Sequence, residues 1–148
     1  MNKSFLISVL QSQAGWSALA LRLPVGIIFM AHGAQKLFGW FGGYGLEGTG
    51  QFMASIGLEP GMLMAFMAGA GEFFGGLFIL LGLLTRAAAL SLAATMLVAI
   101  LAVHLENGLF MSNGGYEFGL ALLAASVSLL FSGAGRLGLD ELLHRRLA

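Results

Sequence analysis

Residues 61–84 read GMLMAFMAGAGEFFGGLFILLGLL, and this stretch decides the class of fold. The run contains no proline and is longer than the roughly 20 apolar residues that a helix needs to cross a bilayer. Glu72, near its middle, is its single ionisable residue. Because a carboxylate is costly in hydrocarbon, we expect Glu72 to face protein or water and to mark a functional site.

The helical neighbours of Glu72 predict which way it faces. In a helix, the residues three and four positions away share a face with it. Here all four are small: Ala68, Gly69, Gly75 and Gly76. Gly71 and Gly75 also form a small-xxx-small pair, which is typical of close contact between membrane helices. We therefore expect another helix to approach Glu72 closely.

The composition is that of an integral membrane protein. Of the 148 residues, 58% are hydrophobic and 9% are charged, and the mean hydropathy is +0.90. A soluble domain has about 25% charged residues. The chain is too short to divide, so we expect one membrane domain over residues 1–148. The zero net charge gives no sign of a nucleic-acid partner, and the absence of cysteine excludes disulfides and thiol redox chemistry.

Four apolar segments predict an all-α fold, an integral membrane four-helix bundle. We place the spans at about residues 16–38, 61–84, 86–104 and 116–132. The link between the second and third spans is so short that these helices must be antiparallel neighbours. The fourth span carries a small, partly polar stripe on one face, formed by Glu117, Ala121, Ala124 and Ser128.

The longest connection, residues 39–60, is rich in glycine and aromatic residues. Aromatic residues at this level are typical of a membrane interface or of a lid. Within it we predict a short helix that begins with Thr49 as its N-terminal cap and runs to Ile56, where Gly57 ends it.

Both ends of the chain are predicted to lie at the membrane interface. Residues 1–15 should form an amphipathic or irregular lead-in, with its apolar side chains from Phe5, Ile7, Val9 and Leu10. The apolar run there is shorter than a signal-peptide core, so we expect the N-terminus to be retained. At the other end, Asp140 should cap a short amphipathic C-terminal segment that turns its leucines toward the membrane: Leu139, Leu142, Leu143 and Leu147.

The distribution of basic residues predicts the orientation. With four spans, both termini share one side, and that side holds Lys3, Arg22, Arg86, Arg136, Arg145 and Arg146. The other side holds only Lys36, and Arg22 should snorkel toward its own side. The positive-inside rule then places both termini in the cytoplasm of a multi-pass inner-membrane protein.

This topology brings titratable residues of all four spans to the outer half of the bundle. His32 and Lys36 share a face of the first span, and Glu72 should lie about 15 Å deep at 1.5 Å of rise per residue. His104 ends the third span and Glu117 begins the fourth. Structural alternatives stay open: a simple pairing of Glu72 with Lys36 or a histidine, and a solvated helix end for His104, Glu106 and Glu117.

These residue types suit several ligands. Histidine and carboxylate could hold iron or zinc, and two histidines could hold haem. However, they come from separate helices without a tight metal-binding motif, so we expect no metal. A quinone headgroup needs hydrogen-bond donors at its carbonyls and a proton donor on reduction, which such groups supply. The candidate site comprises Glu72 and His32 as catalytic residues and Lys36, His104, Glu117 and Phe73 as ligand contacts.

Several motifs occur in order between about Leu21 and Asp140: GIIFMAHGAQKLFGWFGG, GTGQFMASIGL, AGAGEFFGGLFILLGLLTR, NGGYEFGLAL and GAGRLGLD. Together they resemble the DoxX family of small four-helix bacterial membrane proteins. The recurring family positions fall on His32, Gly33, Lys36, Gly39, Gly57, Glu72, Gly75, Gly76, Gly82, Arg86, His104, Gly115 and Glu117. The final motif departs from the family's GPGxxSLD pattern, with alanine and glycine in place of proline and serine.

The resemblance implies an inner-membrane bundle. Relatives in that family include a subunit of thiosulfate:quinone oxidoreductase, and others are associated with redox-stress complexes. Our leading hypothesis is a membrane component of a redox system that binds a quinone or similar small apolar molecule in the periplasm-facing half. Two alternatives stay open. One is a proton-coupled small-solute transporter, and the other is a non-catalytic scaffold for a partner oxidoreductase. The sequence leaves two questions open: whether the chain is an oxidoreductase subunit, and whether it forms a homo-oligomer.

Overall fold

The computed structural model describes residues 7, 10–12 and 14–147, with the side chain of residue 147 left out. In this part of the chain all regular structure is helical. The α-helices are α1 Gly15–Phe38, α2 Gly45–Ser55, α3 Gly61–Leu81, α4 Thr85–Ala99, α5 Glu117–Ser132 and α6 Leu139–Leu147. Helix α4 continues as a π-helical turn, Ile100–His104, and a 3₁₀ turn, Leu105–Asn107. Two further 3₁₀ turns, Trp40–Gly42 and Met111–Asn113, lie in the connections.

Among the described residues, three helical segments are long and apolar enough to cross a membrane: Gly15–Phe38, Gly61–Leu81 and Thr85–Asn107. The apolar helix α5 is shorter, with 16 residues. At 1.5 Å per residue it extends about 24 Å, less than the roughly 30 Å of a typical hydrocarbon core. The predicted all-α membrane fold is confirmed. Helix α3 ends three residues before the predicted limit because Gly82 adopts the left-handed conformation, with φ of +64°.

Helices α1 and α3 meet backbone to backbone through glycine. A methyl group added at Gly76 would lie 2.7 Å from the Gly26 carbonyl oxygen, and one added at Gly26 would lie 2.8 Å from the Gly76 oxygen. On an adjacent face of α3, Gly75 packs against Leu92 of α4. The small residues around Glu72 therefore admit α1 as closely as predicted, and they admit α4 on a second face, which was not predicted.

The short helix of the long connection differs from its prediction at its start. Helix α2 begins at Gly45, so Thr49 lies inside it instead of capping it. The Thr49 hydroxyl points to the backbone oxygen of Lys36, 3.5 Å away. The predicted end is confirmed: Gly57 has φ of +82°, and the Leu58 amide donates to the Met53 oxygen at 2.9 Å.

The prediction that Arg22 snorkels is wrong, because its side chain is buried, with 1% exposure. Its Nε donates to the Ile79 oxygen at 2.8 Å and Nη2 to the Leu80 oxygen at 3.0 Å, while Nη1 donates to the Ala134 oxygen at 2.7 Å. The last carbonyls of a helix lack intrahelical partners. Arg22 bonds two of these carbonyl oxygens at the end of α3, and its positive charge interacts favourably with the negative end of the α3 dipole.

Asp140 does not cap the C-terminal helix α6 as predicted, because its carboxylate bonds the start of α4 instead. The two carboxylate oxygens of Asp140 accept from the amides of Leu84 at 2.7 Å and Thr85 at 2.8 Å. These amides begin α4, where a helix has unpaired donors and a positive dipole end. Asp140 therefore caps α4 across the fold, while Arg22 caps the end of α3, and together they fix the turn between the two helices.

The predicted interfacial lead-in lies mostly outside the described residues, including Phe5 and Val9. Leu10 is buried against the rest of the protein, so its side chain does not turn toward the surroundings as the prediction of an interfacial lead-in requires. Helix α6 is amphipathic, and its leucines Leu139, Leu142 and Leu143 are exposed. Three arginines gather where α1 begins and α5 ends. Arg22 bonds the Ala134 oxygen, Arg86 bonds the Leu130 oxygen, and Arg136 lies over the Trp16 ring. We call this the arginine end, and the opposite end, with residues 39–60 and 105–116, the loop end.

Candidate functional site

Lys36 and Glu72 form an ion pair between α1 and α3. The Lys36 Nζ and Glu72 Oε2 atoms are 2.6 Å apart. The Glu72 side chain is 3% exposed and that of Lys36 is 25% exposed. Lys36 lies in the last turn of α1, toward the loop end, while Glu72 lies in the middle of α3. The glycines of both helices bring their backbones close enough for this contact.

The pair resolves the electrostatic problem that the sequence poses. An unpaired carboxylate inside hydrocarbon costs several kcal/mol, and a nearby ammonium offsets much of that cost. Because Lys36 remains partly exposed, the pair has one buried and one accessible partner. A ligand that approaches from the accessible side would meet an ammonium donor first, with a carboxylate behind it.

His32 lies one helical turn before Lys36 and is half-buried. Its ring centroid is 6.1 Å from that of Phe118 on α5, with the planes tilted by 49°. The ring therefore packs between α1 and α5. Among the described residues, the hydrogen-bond partner of the Glu72 carboxylate is Lys36, so the predicted joint proton-carrying role of His32 and Glu72 stays a prediction.

The structure joins His104 and Glu117 to the loop between α4 and α5. Nδ1 of His104 lies 2.7 Å from the Gly114 oxygen and donates to it as the N–H tautomer. Oε1 of Glu117 accepts from the Met111 amide at 2.6 Å. Asn107 Nδ2 reinforces the loop by donating to the Val103 oxygen at 3.2 Å. Both predicted ligand residues thus have structural partners of their own, and their roles toward a ligand stay predictions.

Four aromatic side chains contact one another near the end of α1 and the middle of α3, close in sequence to the two members of the pair. Phe73 follows Glu72 in sequence and contacts Phe38 edge to face, with ring centroids 5.5 Å apart. It contacts Phe74 in the same way at 5.4 Å, and Phe38 in turn contacts Trp40 at 5.0 Å. These rings, which we call the aromatic cluster, are Phe38, Trp40, Phe73 and Phe74. These edge-to-face and tilted contacts hold the cluster together at the loop end of α1 and beside α3.

Sequence reasoning missed how α2 contributes to this region. The approach of α2 to α3 is close, because a methyl group at Gly50 would lie 3.2 Å from Met62 Cα. With the Thr49 hydroxyl directed to the Lys36 oxygen, α2 packs beside the last turn of α1. The hydroxyl was identified from sequence only as a cap, and no spacing rule connects it to Lys36.

The donor set offers no clear metal centre. In the portion of the chain that the structure describes, no group of three or more histidine, cysteine, aspartate or glutamate side chains could hold a metal ion. The two histidines of the predicted site contact different partners, Phe118 and Gly114. The site's chemistry therefore consists of an ammonium, a carboxylate, an imidazole and aromatic rings.

Comparisons with known proteins agree with this architecture. The chain is 38% identical to "Putative oxidoreductase CatD" of Bacillus subtilis over 98% of its own length and 93% of the relative's. It is 34% identical to "Inner membrane protein YqjF" of Escherichia coli, over 86% of this chain and 92% of that protein. An uncharacterized membrane protein of Mycobacterium tuberculosis, Rv3486, is 33% identical over 93% of this chain and 88% of its own.

No solved structure matches the chain. The DoxX family model matches residues 17–105, which include α1, the long connection, α3 and α4. Both members of the Lys36–Glu72 pair lie within that match. The chain belongs to the DoxX family of membrane proteins.

Proposed function

We propose that this protein is the membrane component of a redox system and binds a quinone, or a similarly small apolar molecule, at the Lys36–Glu72 pair. The observation that carries the proposal is this pair itself, with one buried and one partly exposed charge, and with Phe73 of the aromatic cluster next to Glu72 in sequence. The relative from Bacillus subtilis, whose printed name includes "oxidoreductase", supports a redox context. The ligand would enter from the loop end, which the positive-inside rule places outside the cell.

Each residue has a stated task in this proposal. The Lys36 ammonium donates a hydrogen bond to a quinone carbonyl oxygen. Phe73 and Phe38 pack against the ring. Reduction of a quinone to a quinol takes up two electrons and two protons. The electrons come from a partner redox protein. Lys36 and His32 each deliver one proton to the reduced ring, and both side chains are then reprotonated from the outer solvent. Glu72 holds Lys36 in place and balances its charge when the ammonium re-forms.

The test begins with what co-purifies. The protein is extracted in mild detergent, and its organic extract is examined by mass spectrometry for quinones. We expect the wild type to retain quinone and Glu72→Gln to lose most of it, because the amide no longer orients Lys36. Glu106→Gln is the matched control, since Glu106 is an exposed carboxylate at the same end. Absence of quinone from the wild-type extract, with no thermal stabilisation by added quinone, would contradict the proposal.

Transport is the weaker alternative, since a path through the bundle needs polar groups at the arginine end as well. The guanidinium of Arg22 there is bonded to backbone carbonyls, and Thr95 Oγ1 donates to the Ser91 oxygen within α4. Proton flux into liposomes under an imposed pH gradient separates the hypotheses: a carrier dissipates the gradient faster than protein-free vesicles, whereas a quinone-binding subunit does not.

The scaffold alternative rests on a separate surface. Trp40, Phe41 and Tyr44 are exposed at the loop end, and Phe41 holds a left-handed backbone with φ of +53°. If the protein acts only as a scaffold, substituting alanine for these residues should weaken capture of a partner oxidoreductase, while Glu72→Gln should not change it.

A further inference from the structure

A second site is suggested by a groove at the arginine end, remote from the Lys36–Glu72 pair. It lies between the beginning of α1 and the end of α5, and its volume is about 420 Å³, within the range of ligand pockets. Ser17, Ala20 and Ser128 are exposed there, so the groove faces the surroundings of the bundle. Its lining is Ser17, Ala18, Ala20, Leu21, Ser128 and Ser132.

The polar end of the groove is flanked by two cationic side chains. Arg136 is exposed, and its Cζ lies 5.5 Å from the ring centroid of Trp16, the residue before Ser17. Arg86 Nη1 donates to the oxygens of Leu130 and Phe131 at 2.7 and 2.8 Å, immediately before Ser132. Arg136 therefore lies beside the start of α1, and Arg86 lies beside the end of α5 with its guanidinium bonded to backbone oxygens.

The groove also changes character along the membrane normal. Ser17 and Ser132 lie at the level of the arginines, whereas Ala20 and Leu21 lie about one turn deeper along α1. Trp16 is exposed in the first turn of α1, and tryptophan is enriched at the membrane–water interface. From the end inward the groove passes from the cations and the hydroxyls of Ser17 and Ser132 to Ala20 and Leu21, with the Ser128 hydroxyl about one turn below Ser132. This order accommodates a phospholipid headgroup followed by the start of an acyl chain.

We propose that this groove binds an anionic phospholipid of the surrounding bilayer, with its phosphate beside Arg136 and an acyl chain along Ala20 and Leu21. Charge complementarity selects this occupant, because basic residues between membrane helices attract anionic headgroups. A second copy of the chain fits less well. The lining of the groove contains no acidic side chain that could pair with a basic residue of a second copy. The site is independent of the function proposed above.

The test measures lipid binding to the full-length protein in detergent. Phosphatidylglycerol and phosphatidylcholine with the same acyl chains are titrated, and bound lipid is counted by native mass spectrometry while the thermal midpoint is followed. We expect phosphatidylglycerol to bind and to raise the midpoint, and phosphatidylcholine to do neither. Arg136→Gln should weaken phosphatidylglycerol binding about fivefold, the effect of one basic residue near an anionic headgroup. Arg146→Gln is the charge-matched control on α6 and should leave binding unchanged.

A second variant tests the groove separately from the charge. Ala20→Phe should fill the groove and abolish phosphatidylglycerol binding, whereas Ala94→Phe, at an exposed alanine of α4, should not. Equal binding of the two lipids, or equal effects of Arg136→Gln and Arg146→Gln, would overturn the proposal. So would saturation of the same shift by inorganic phosphate alone, or loss of a dimer in Ala20→Phe with lipid binding intact.

Discussion

At the scale of single residues, Glu72 and Arg22 show two ways of placing a charge inside an apolar bundle. Glu72 has an ionic partner that is itself partly exposed. In the described part of the chain, the hydrogen-bond acceptors of Arg22 are neutral backbone oxygens from two chain segments that meet at the same end of the bundle. The first arrangement leaves an accessible donor, while the second uses all its contacts to hold the fold. This difference is why we assign ligand chemistry to one and stability to the other.

Removing only the cation of the pair should be costly. In Lys36→Met, the Glu72 carboxylate stays buried without its partner, so we expect a loss of about 3 kcal/mol, at the lower end for a broken buried pair because Lys36 is partly exposed. The double variant Lys36→Met/Glu72→Gln should regain most of it. Reversible unfolding in mixed micelles measures both. A double variant less stable than the single would contradict this account.

Arg22 should not be replaceable by lysine. An ammonium is a single donor centre and cannot reach the oxygens of Ile79, Leu80 and Ala134 together, as the forked guanidinium does. We expect Arg22→Lys to destabilise the protein by roughly 2 kcal/mol, since at least one charge-assisted hydrogen bond is lost. Thermal unfolding checks the loss, and a wild-type midpoint in Arg22→Lys would show that the carbonyl contacts contribute little.

At the scale of elements, a close helix contact at Glu72 could be predicted from the sequence, whereas the identity of the partner helix and the contacts that follow from it could not. The small residues around Glu72 predict a close helix contact. Lys36 lies four residues after His32 and therefore shares a face of the first span that could meet Glu72. The destinations of Arg22 and Asp140 depend on residues 134–140 returning to the same end of the bundle, which no local pattern encodes. The loop bonds of His104 and Glu117 likewise depend on a turn whose path is set by several residues at once.

The glycine contact gives a paired prediction. In Gly76→Ala the new methyl group would lie 2.7 Å from the Gly26 oxygen, so the helices must separate, at a cost of about 1–3 kcal/mol. In Gly71→Ala the nearest atom is Ser91 Oγ at 3.6 Å, an ordinary contact, and the better helix propensity should leave stability unchanged or slightly raised. Thermal midpoints of the two variants compare them, and equal destabilisation would mean that α1 and α3 do not touch at Gly76.

At the scale of the whole molecule, the charge distribution divides the bundle into two ends. Three arginines, together with α6, occupy the arginine end, and the exposed aromatic residues Trp40, Phe41 and Tyr44 occupy the other. The all-α membrane class follows from composition and apolar run length, which is why the sequence predicts it well. Which end faces the cytoplasm depends on the positive-inside rule alone.

Orientation can be tested by labelling, because the chain has no cysteine of its own. We expect Asn113→Cys, at the loop end, to react with a membrane-impermeant maleimide in intact cells. Arg146→Cys, in α6, should react only after the membrane is opened. The reverse pattern would place the Lys36–Glu72 pair toward the cytoplasm and redirect the proposed route of the ligand.

The most direct test of the central claim compares two ion pairs in the same protein. A short-chain quinone is titrated into the purified wild type, into Lys36→Gln/Glu72→Gln, and into Glu141→Gln/Arg145→Gln, which removes the exposed pair of α6 with its 3.0 Å contact. Binding is followed by equilibrium dialysis and by the thermal midpoint. The account predicts saturable binding to the wild type and the α6 variant, and at least a tenfold loss in the first variant. Equal binding to all three proteins would contradict it.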